Sequence, residues 1–256
     1  MLAPSLWFCF RHMYCVKIAA GRGQYETAHS FVAALEIDHC SFPDDLFYDV
    51  ENNTWLRFES QNTARIGITS ILSGLAGKFT SVRLKQTGLE LQRGRSLGTL
   101  ESLRFVGPIP SPFSGTILET NEMVEERPKL LNDSPYFEGW IATVKPTRLS
   151  LERGFLSTAT AASGKLQEKI RQLRVRCFKA YPDHEMVEVG VECAAVLVRL
   201  NELLATLPRG SVVHVVSDDP TAYVEMERWV DQTKNQLVDW RTEGNLFHFI
   251  VRKSVP

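Results

Sequence analysis

Cys193 has the setting best suited to covalent chemistry among the 256 residues. Gly190-Val191-Glu192 precedes it, and residues 194–207 follow with Val196, Leu200, Leu203 and Leu207 on one stripe and Leu197 and Leu204 beside it, the spacing of an amphipathic helix. A cysteine at a helix start faces unpaired backbone N–H groups and the positive end of the helix dipole, which favours thiolate over thiol. A thiolate can attack the outer sulfur of a persulfide and hold it as Cys–S–SH. The same N–H groups would steady the anion, and no metal or organic cofactor is required. His184, at the start of the preceding strand, is a candidate for assisting deprotonation. The competing reading, that Cys193 is a small apolar plug at the helix start, stays open.

Cys9, Cys15, Cys40 and Cys177 lack any such setting and read as structural. With no CxxC pair and an odd total, the five cysteines suit a reducing cytosol, so a cytoplasmic location is expected. His12, His29, His39, His184, His214 and His248 do not fall at metal-ligand spacing. Asp218 and Asp219 before Pro220 read as a helix N-cap, and Gly21-Arg22-Gly23 lacks the strand and helix of a phosphate loop. Lysine plus arginine (29) nearly cancels aspartate plus glutamate (30), so no global field draws nucleic acid or an anionic membrane, and neither is expected as a partner. The apolar run Leu6-Trp7-Phe8-Cys9-Phe10 is interrupted at Arg11-His12, short of signal or membrane length; no export is expected, and Met13 is an alternative start.

Several elements must position the thiol. Ala28, Phe31, Val32 and Leu35 predict a short helix within 24–36. From 40 to 144 the chain turns to short alternating runs cut by glycine and proline, which predict a small all-β sandwich or flattened barrel. Residues 149–176 place Leu166, Ile170 and Leu173 at helical spacing and predict a helical linker whose basic face (Lys165, Lys169, Arg171, Arg174, Arg176) is solvated. Beyond 185 the order is strand (186–191), helix (194–207), strand (212–216), helix (221–233), then a hairpin closing around Glu243-Gly244-Asn245. The class expected is α+β, an all-β barrel followed by a two-layer α/β sandwich of order β-α-β-α-β-β. The domains expected are an extension (1–39), the barrel (40–147), a helical linker (148–184) and the sandwich (185–256).

Residues 40–145 carry Phe42-Pro43-Asp44-Asp45-Leu46-Phe47-Tyr48, Arg65-Ile66-Gly67-Ile68-Thr69 and Thr99-Leu100-Glu101-Ser102-Leu103-Arg104. They continue with Ser111-Pro112-Phe113-Ser114-Gly115, Asn121-Glu122 and Leu131-Asn132-Asp133-Ser134-Pro135-Tyr136-Phe137-Glu138-Gly139-Trp140. Together these resemble the H-protein of the glycine cleavage system. In that family the lysine after Glu-Ser-x sits at a hairpin tip and carries lipoate on its amine; here the position is Arg104. A guanidinium that stays protonated far above neutral pH is a poor nucleophile, so lipoylation at Arg104 is expected to fail. The stretch Phe105-Val106-Gly107-Pro108-Ile109-Pro110 also departs from the usual tip and is more like H-like proteins associated with sulfur metabolism.

Residues 187–253 resemble the TusA family of sulfur carriers. The landmarks are Gly190-Val191-Glu192-Cys193, Gly210 opening an apolar strand, Ser217-Asp218-Asp219-Pro220, and the closing Phe249-Ile250-Val251-Arg252-Lys253. The resemblance implies that Cys193 is the carrier sulfur. The family's prolines after that cysteine are replaced by Ala194 and Val196, which should loosen its presentation rather than remove it. The function expected is a sulfane-sulfur relay, a carrier rather than a turnover enzyme. Its partners would be sulfur donor and acceptor proteins, with the amino-terminal domain docking lipoate-dependent enzymes or lipoate-handling proteins. The rival is a non-catalytic adaptor or regulator of a lipoate-dependent complex, with both cargo positions lost. A working H-protein is disfavoured, since its arm has nowhere to attach.

Overall fold

The computed structural model describes residues 7–10, 14–17, 33–60 and 62–254. Residues 1–33 and 34–256 are separate units. In the first, strands β1 (Trp7–Phe10) and β2 (Tyr14–Lys17) pair antiparallel. The helix expected within 24–36 lies outside the described residues up to 32. Its remaining part is a strand instead, β3 (Ala34–Ile37), which pairs with β4 (Cys40–Pro43) around a turn in which Asp38 and His39 both take positive φ. That turn closes a tight hairpin.

Next come β5 (Phe47–Asp49), β6 (Thr54–Ser60), β7 (Thr63–Ile68), helix α1 (Ser70–Ala76), β8 (Phe79–Leu84), β9 (Glu90–Leu91), β10 (Ser96–Ser102), β11 (Val106–Pro110) and β12 (Gly115–Thr120). Helices α2 (Glu122–Glu126) and α3 (Leu130–Asp133), strand β13 (Trp140–Pro146), α4 (Leu149–Glu152), β14 (Ser157–Thr158) and α5 (Ala159–Leu173) complete this region. A seven-stranded antiparallel sheet, β14-β5-β6-β7-β13-β12-β9, accompanies a three-stranded one, β11-β10-β8. Alternation along β7 sends Ala64, Ile66 and Ile68 into a core shared with Val82, Leu97, Leu100 and Ile109 of the smaller sheet.

A second core forms on Phe42, Tyr48 and Trp55, against which α5 buries Ala159, Ala162, Leu166 and Ile170. Fully burying an aliphatic side chain contributes roughly 1.5–3 kcal/mol, which is why the amphipathic segment expected as a linker docks as a helix on the β core. Its basic face is only partly solvated: Lys169 Nζ donates to the Glu51 carbonyl at 2.7 Å, and Arg176 pairs with Glu243 at 2.8 Å.

The carboxy-terminal region runs β15 (His184–Glu188), α6 (Cys193–Thr206), β16 (Val212–Ser217), α7 (Ala222–Thr233), β17 (Gln236–Glu243) and β18 (Leu246–Arg252). This is the expected β-α-β-α-β-β order. The sheet order is β15-β16-β18-β17, with β15 parallel to β16 and the other pairs antiparallel. Helices α6 and α7 pack Val196, Leu200, Leu204, Met226 and Trp229 onto Val213, Val215, Phe249 and Val251.

The opposite sheet face is covered in part by residues 175–183, which lie across it as a strap. The Asp183 N–H donates to the Val212 carbonyl (2.7 Å), Lys179 N–H donates to Asp239 Oδ2 (3.2 Å), and the Phe178 ring lies 4.8 Å from His214. Asp183 also pairs with Lys129 (2.8 Å) and Lys78 (3.2 Å) of the β region. Cys177 of the strap is disulfide-bonded to Cys40 of β4, 137 residues away in sequence. The cysteine pattern reads as one suited to a reducing cytosol, yet this pair is oxidised. Connectivity of this kind has no local sequence signature.

Candidate functional site

The chain leaves β15 at Glu188, turns through Gly190 at φ 76, and enters α6 with Cys193 as its first helical residue. Glu192 occupies the N-cap without a side-chain hydrogen bond. The cap is supplied from the next loop: Asp219 Oδ2 accepts from the Cys193 N–H at 2.7 Å, and Asp218 Oδ1 accepts from the Gly190 N–H at 2.7 Å. Asp219 Oδ1 also accepts from the Thr221 N–H (2.8 Å) and Oγ1 (2.7 Å), a local turn ahead of α7. The two aspartates thus clamp the loop that presents the thiol, a role the helix-cap reading missed. The signal was present, since two adjacent carboxylates offer more acceptors than one cap needs.

The clamp changes the chemistry expected of the helix start. Cys193 N–H is already taken, and the Ala195 and Val196 N–H groups turn back onto the Glu192 carbonyl at 3.0 and 3.2 Å. Cys193 is only 3% exposed. Burial, then the negative charges of Asp219 and Glu225, push its pKa up to about 11. Hydrogen bonds from Thr221 and Cys193 hold the Asp219 carboxyl below its ordinary range, so that charge is present at neutral pH. The thiolate expected from the helix dipole is outweighed. His184 gives no help, because it pairs with Val213 while Glu188, next to the loop, pairs with Ser217. It stands four strand residues from the thiol's end of β15, about 13 Å.

Arg104 sits in the three-residue turn joining β10 and β11. Ser102 N–H donates to the Phe105 carbonyl (2.8 Å) to close that turn, and Ser102 Oγ ties it to the Ala76 carbonyl (2.6 Å) at the end of α1. Its guanidinium lies over Gly77, where an added Cβ would come 2.7 Å from Nε. It is also close enough to the Tyr181 phenol to lower a pKa that burial raises. A guanidinium folded back in this way does not fit a lipoyl attachment point. The neighbouring Leu103 and Val106 are exposed.

Cys193 and Arg104 are not brought together. Cys193 belongs to the core beneath α6 and α7 with Val213 and Val215, whereas Arg104 shares a cleft with His214, which alternates with those valines and faces the other way. A larger cavity of about 710 Å³ lies beside the strap, and Cys193 lines neither space. Among the described residues no cluster of three His, Cys, Asp or Glu side chains is placed to hold a metal, and no helix is long and apolar enough to cross a membrane.

The family profile of the glycine cleavage H-protein matches residues 46–169, through most of α5, and that of sulfurtransferase TusA matches 189–253. Glycine cleavage system H protein 2 of Aquifex aeolicus is 38% identical over 138 residues, 54% of this chain and 86% of that protein. A probable glycine cleavage system H protein 2 of Sulfolobus acidocaldarius is 37% identical over 141 residues, 54% of this chain and 94% of that protein. A crystal structure of a glycine cleavage system H protein from Mycobacterium marinum is 29% identical, with a TM-score of 0.43 over 48% of this chain and 98% of that one. The chain therefore belongs to the glycine cleavage H-protein family through its amino-terminal region, and carries after it a second region that matches the sulfurtransferase TusA profile.

Proposed function

We propose that the protein is a sulfane-sulfur carrier working through Cys193, with its H-protein-like region serving as a docking module without a lipoyl arm. The carrying observation is the position of Cys193, the first residue of α6 at the mouth of a loop pinned by Asp218 and Asp219. In the transfer, the Cys193 thiolate attacks the outer sulfur of a donor persulfide, the donor's inner sulfur leaves as thiolate, and Cys193 holds a persulfide. The buried thiol has to be uncovered first, and the Gly190 turn, held by one carboxylate, is where the loop can open. Val187 and Val189, both exposed beside this loop, offer an apolar surface that a donor or acceptor protein can cover. The docking module would face lipoate-dependent enzymes or lipoate-handling proteins.

We place the protein in the cytosol, where disulfides are uncommon. Cys40 is fully buried and Cys177 is 7% exposed, which shields their bond from small thiols. A second reading, a non-catalytic adaptor, is favoured by the raised pKa of Cys193 and the arginine at position 104. Incubation with a persulfide donor, then alkylation and peptide mapping, separates the two. Added sulfur on the Cys193 peptide, absent in Cys193→Ser, supports the carrier. An unmodified Cys193 under conditions that load a TusA protein supports the adaptor.

A further inference from the structure

The cleft shared by Arg104 and His214 has a cavity of about 210 Å³, and its lining includes Arg104, Arg174, Arg176, Tyr181, Glu185 and His214. Three different parts of the chain supply the cations. Arg104 comes from the hairpin tip, Arg174 from the residue that ends α5 at φ 50, and Arg176 from the strap. Glu185 is the one carboxylate in the lining. Glu243, outside the lining, accepts from Arg176 through Nη2 (2.8 Å) and Nε (2.9 Å) and pairs with Arg241 at 3.0 Å, so one carboxylate is shared between two guanidiniums. His214 also lines the cleft, with its Nε2 paired with His248 Nδ1 at 2.9 Å. Burial first, then His248 and the charges of Arg176 and Arg241, depress its pKa to about 4, so it adds a neutral ring to a positive enclosure.

Size and charge together define what fits. Pockets for nucleotide- or drug-sized ligands run to roughly 300–1,000 Å³, above what this cavity offers. At roughly 30 Å³ per water it holds a tetrahedral anion and a few waters. Guanidiniums present paired N–H donors that match two oxygens of such an anion, a geometry an ammonium lacks.

We infer that this cleft is a binding site for a small tetrahedral oxyanion, with Arg104, the residue at the family's cargo position, as one of its ligands. The site is independent of Cys193, on the opposite sheet face, and stands or falls apart from the carrier reading. Sulfate, thiosulfate and phosphate share the required chemistry.

The test titrates the full chain with each anion in turn, at constant ionic strength set by chloride, while following the histidine ring signals by NMR. Saturable shifts at His214 are expected. Arg104→Ala and Arg174→Ala should each weaken binding by about tenfold, the loss of one charge-assisted contact, while Lys165→Ala on the exposed side of α5 should not. Arg174 is exposed and outside the hairpin, so its variant decides the matter if Arg104→Ala disturbs the tip. A preference for the sulfur anions or for phosphate supports the site and assigns its source. No saturable response, or one that both arginine variants leave unchanged, overturns it.

Discussion

The least forgiving prediction concerns the acidity of Cys193. With a pKa near 11 in place of the ordinary 9, the thiolate fraction at pH 8 falls from about one in ten to about one in a thousand. Alkylation by iodoacetamide should therefore run at least about 100-fold slower at Cys193 than at an exposed cysteine, and slower still because the residue is buried. The perturbation is Asp219→Asn, which keeps an acceptor for the Cys193 N–H while removing the charge. Burial is the larger cause and survives this change, so the variant should speed alkylation only by roughly threefold to tenfold. The assay follows loss of the free Cys193 peptide from pH 7 to 11, by quenched alkylation and mass spectrometry on the oxidised chain. An apparent pKa at or below about 8.5 in the unaltered protein, or slower alkylation in Asp219→Asn, would refute the argument that burial and the clamp suppress the thiolate.

Three further outcomes follow from the rest of the molecule. The Cys40–Cys177 bond closes 137 residues, which the chain-entropy account converts to as much as about 5 kcal/mol; a urea midpoint unchanged between the native protein and the double alanine variant would count against a bond that constrains folding. His214 has a folded pKa of about 4 against 6.5, so between these values the unfolded chain binds more protons, and stability should drop by about 3 kcal/mol as pH falls through that window. Urea unfolding at pH 7, 5.5 and 4.5 measures the drop, and His214→Gln should flatten it. Intact mass of the chain from cells that attach lipoate should carry no lipoyl increment, because Arg104 has no free amine to acylate.

Much of the architecture was readable because it rests on periodicity. Helices α6 and α7 and the hairpin at Gly244 fall where the apolar spacing and turn chemistry put them, since each is fixed by residues within a few positions. The strand at Ala34–Ile37 was missed for the complementary reason: its pairing with β4 depends on a neighbouring strand, and the same residues also fit a helical stripe. Helix α5 had the right period, but nothing local says which surface an amphipathic face will cover. Trp55 and Tyr48, about a hundred residues earlier, provide it.

The site divides along the same line, and the division bears on how the proposed carrier would be switched. The type and position of Cys193 are sequence properties, but its reactivity is set by Asp219, 26 residues downstream, and by burial that only the folded core creates. Ala194 and Val196 in place of the usual prolines leave the start of α6 without a fixed φ or a helix-first ring, so the loop depends on carboxylates from the α7 side to stay in place. Those hydrogen bonds are partly exposed and individually modest, on the order of 1–3 kcal/mol for charged acceptors. A partner that covers Val187 and Val189 can supply that much by burying apolar surface. On the proposed carrier function, uncovering the thiol is then a local event at Gly190–Cys193, and a sulfur kept inert in the free protein would become available only where a donor or acceptor is already bound.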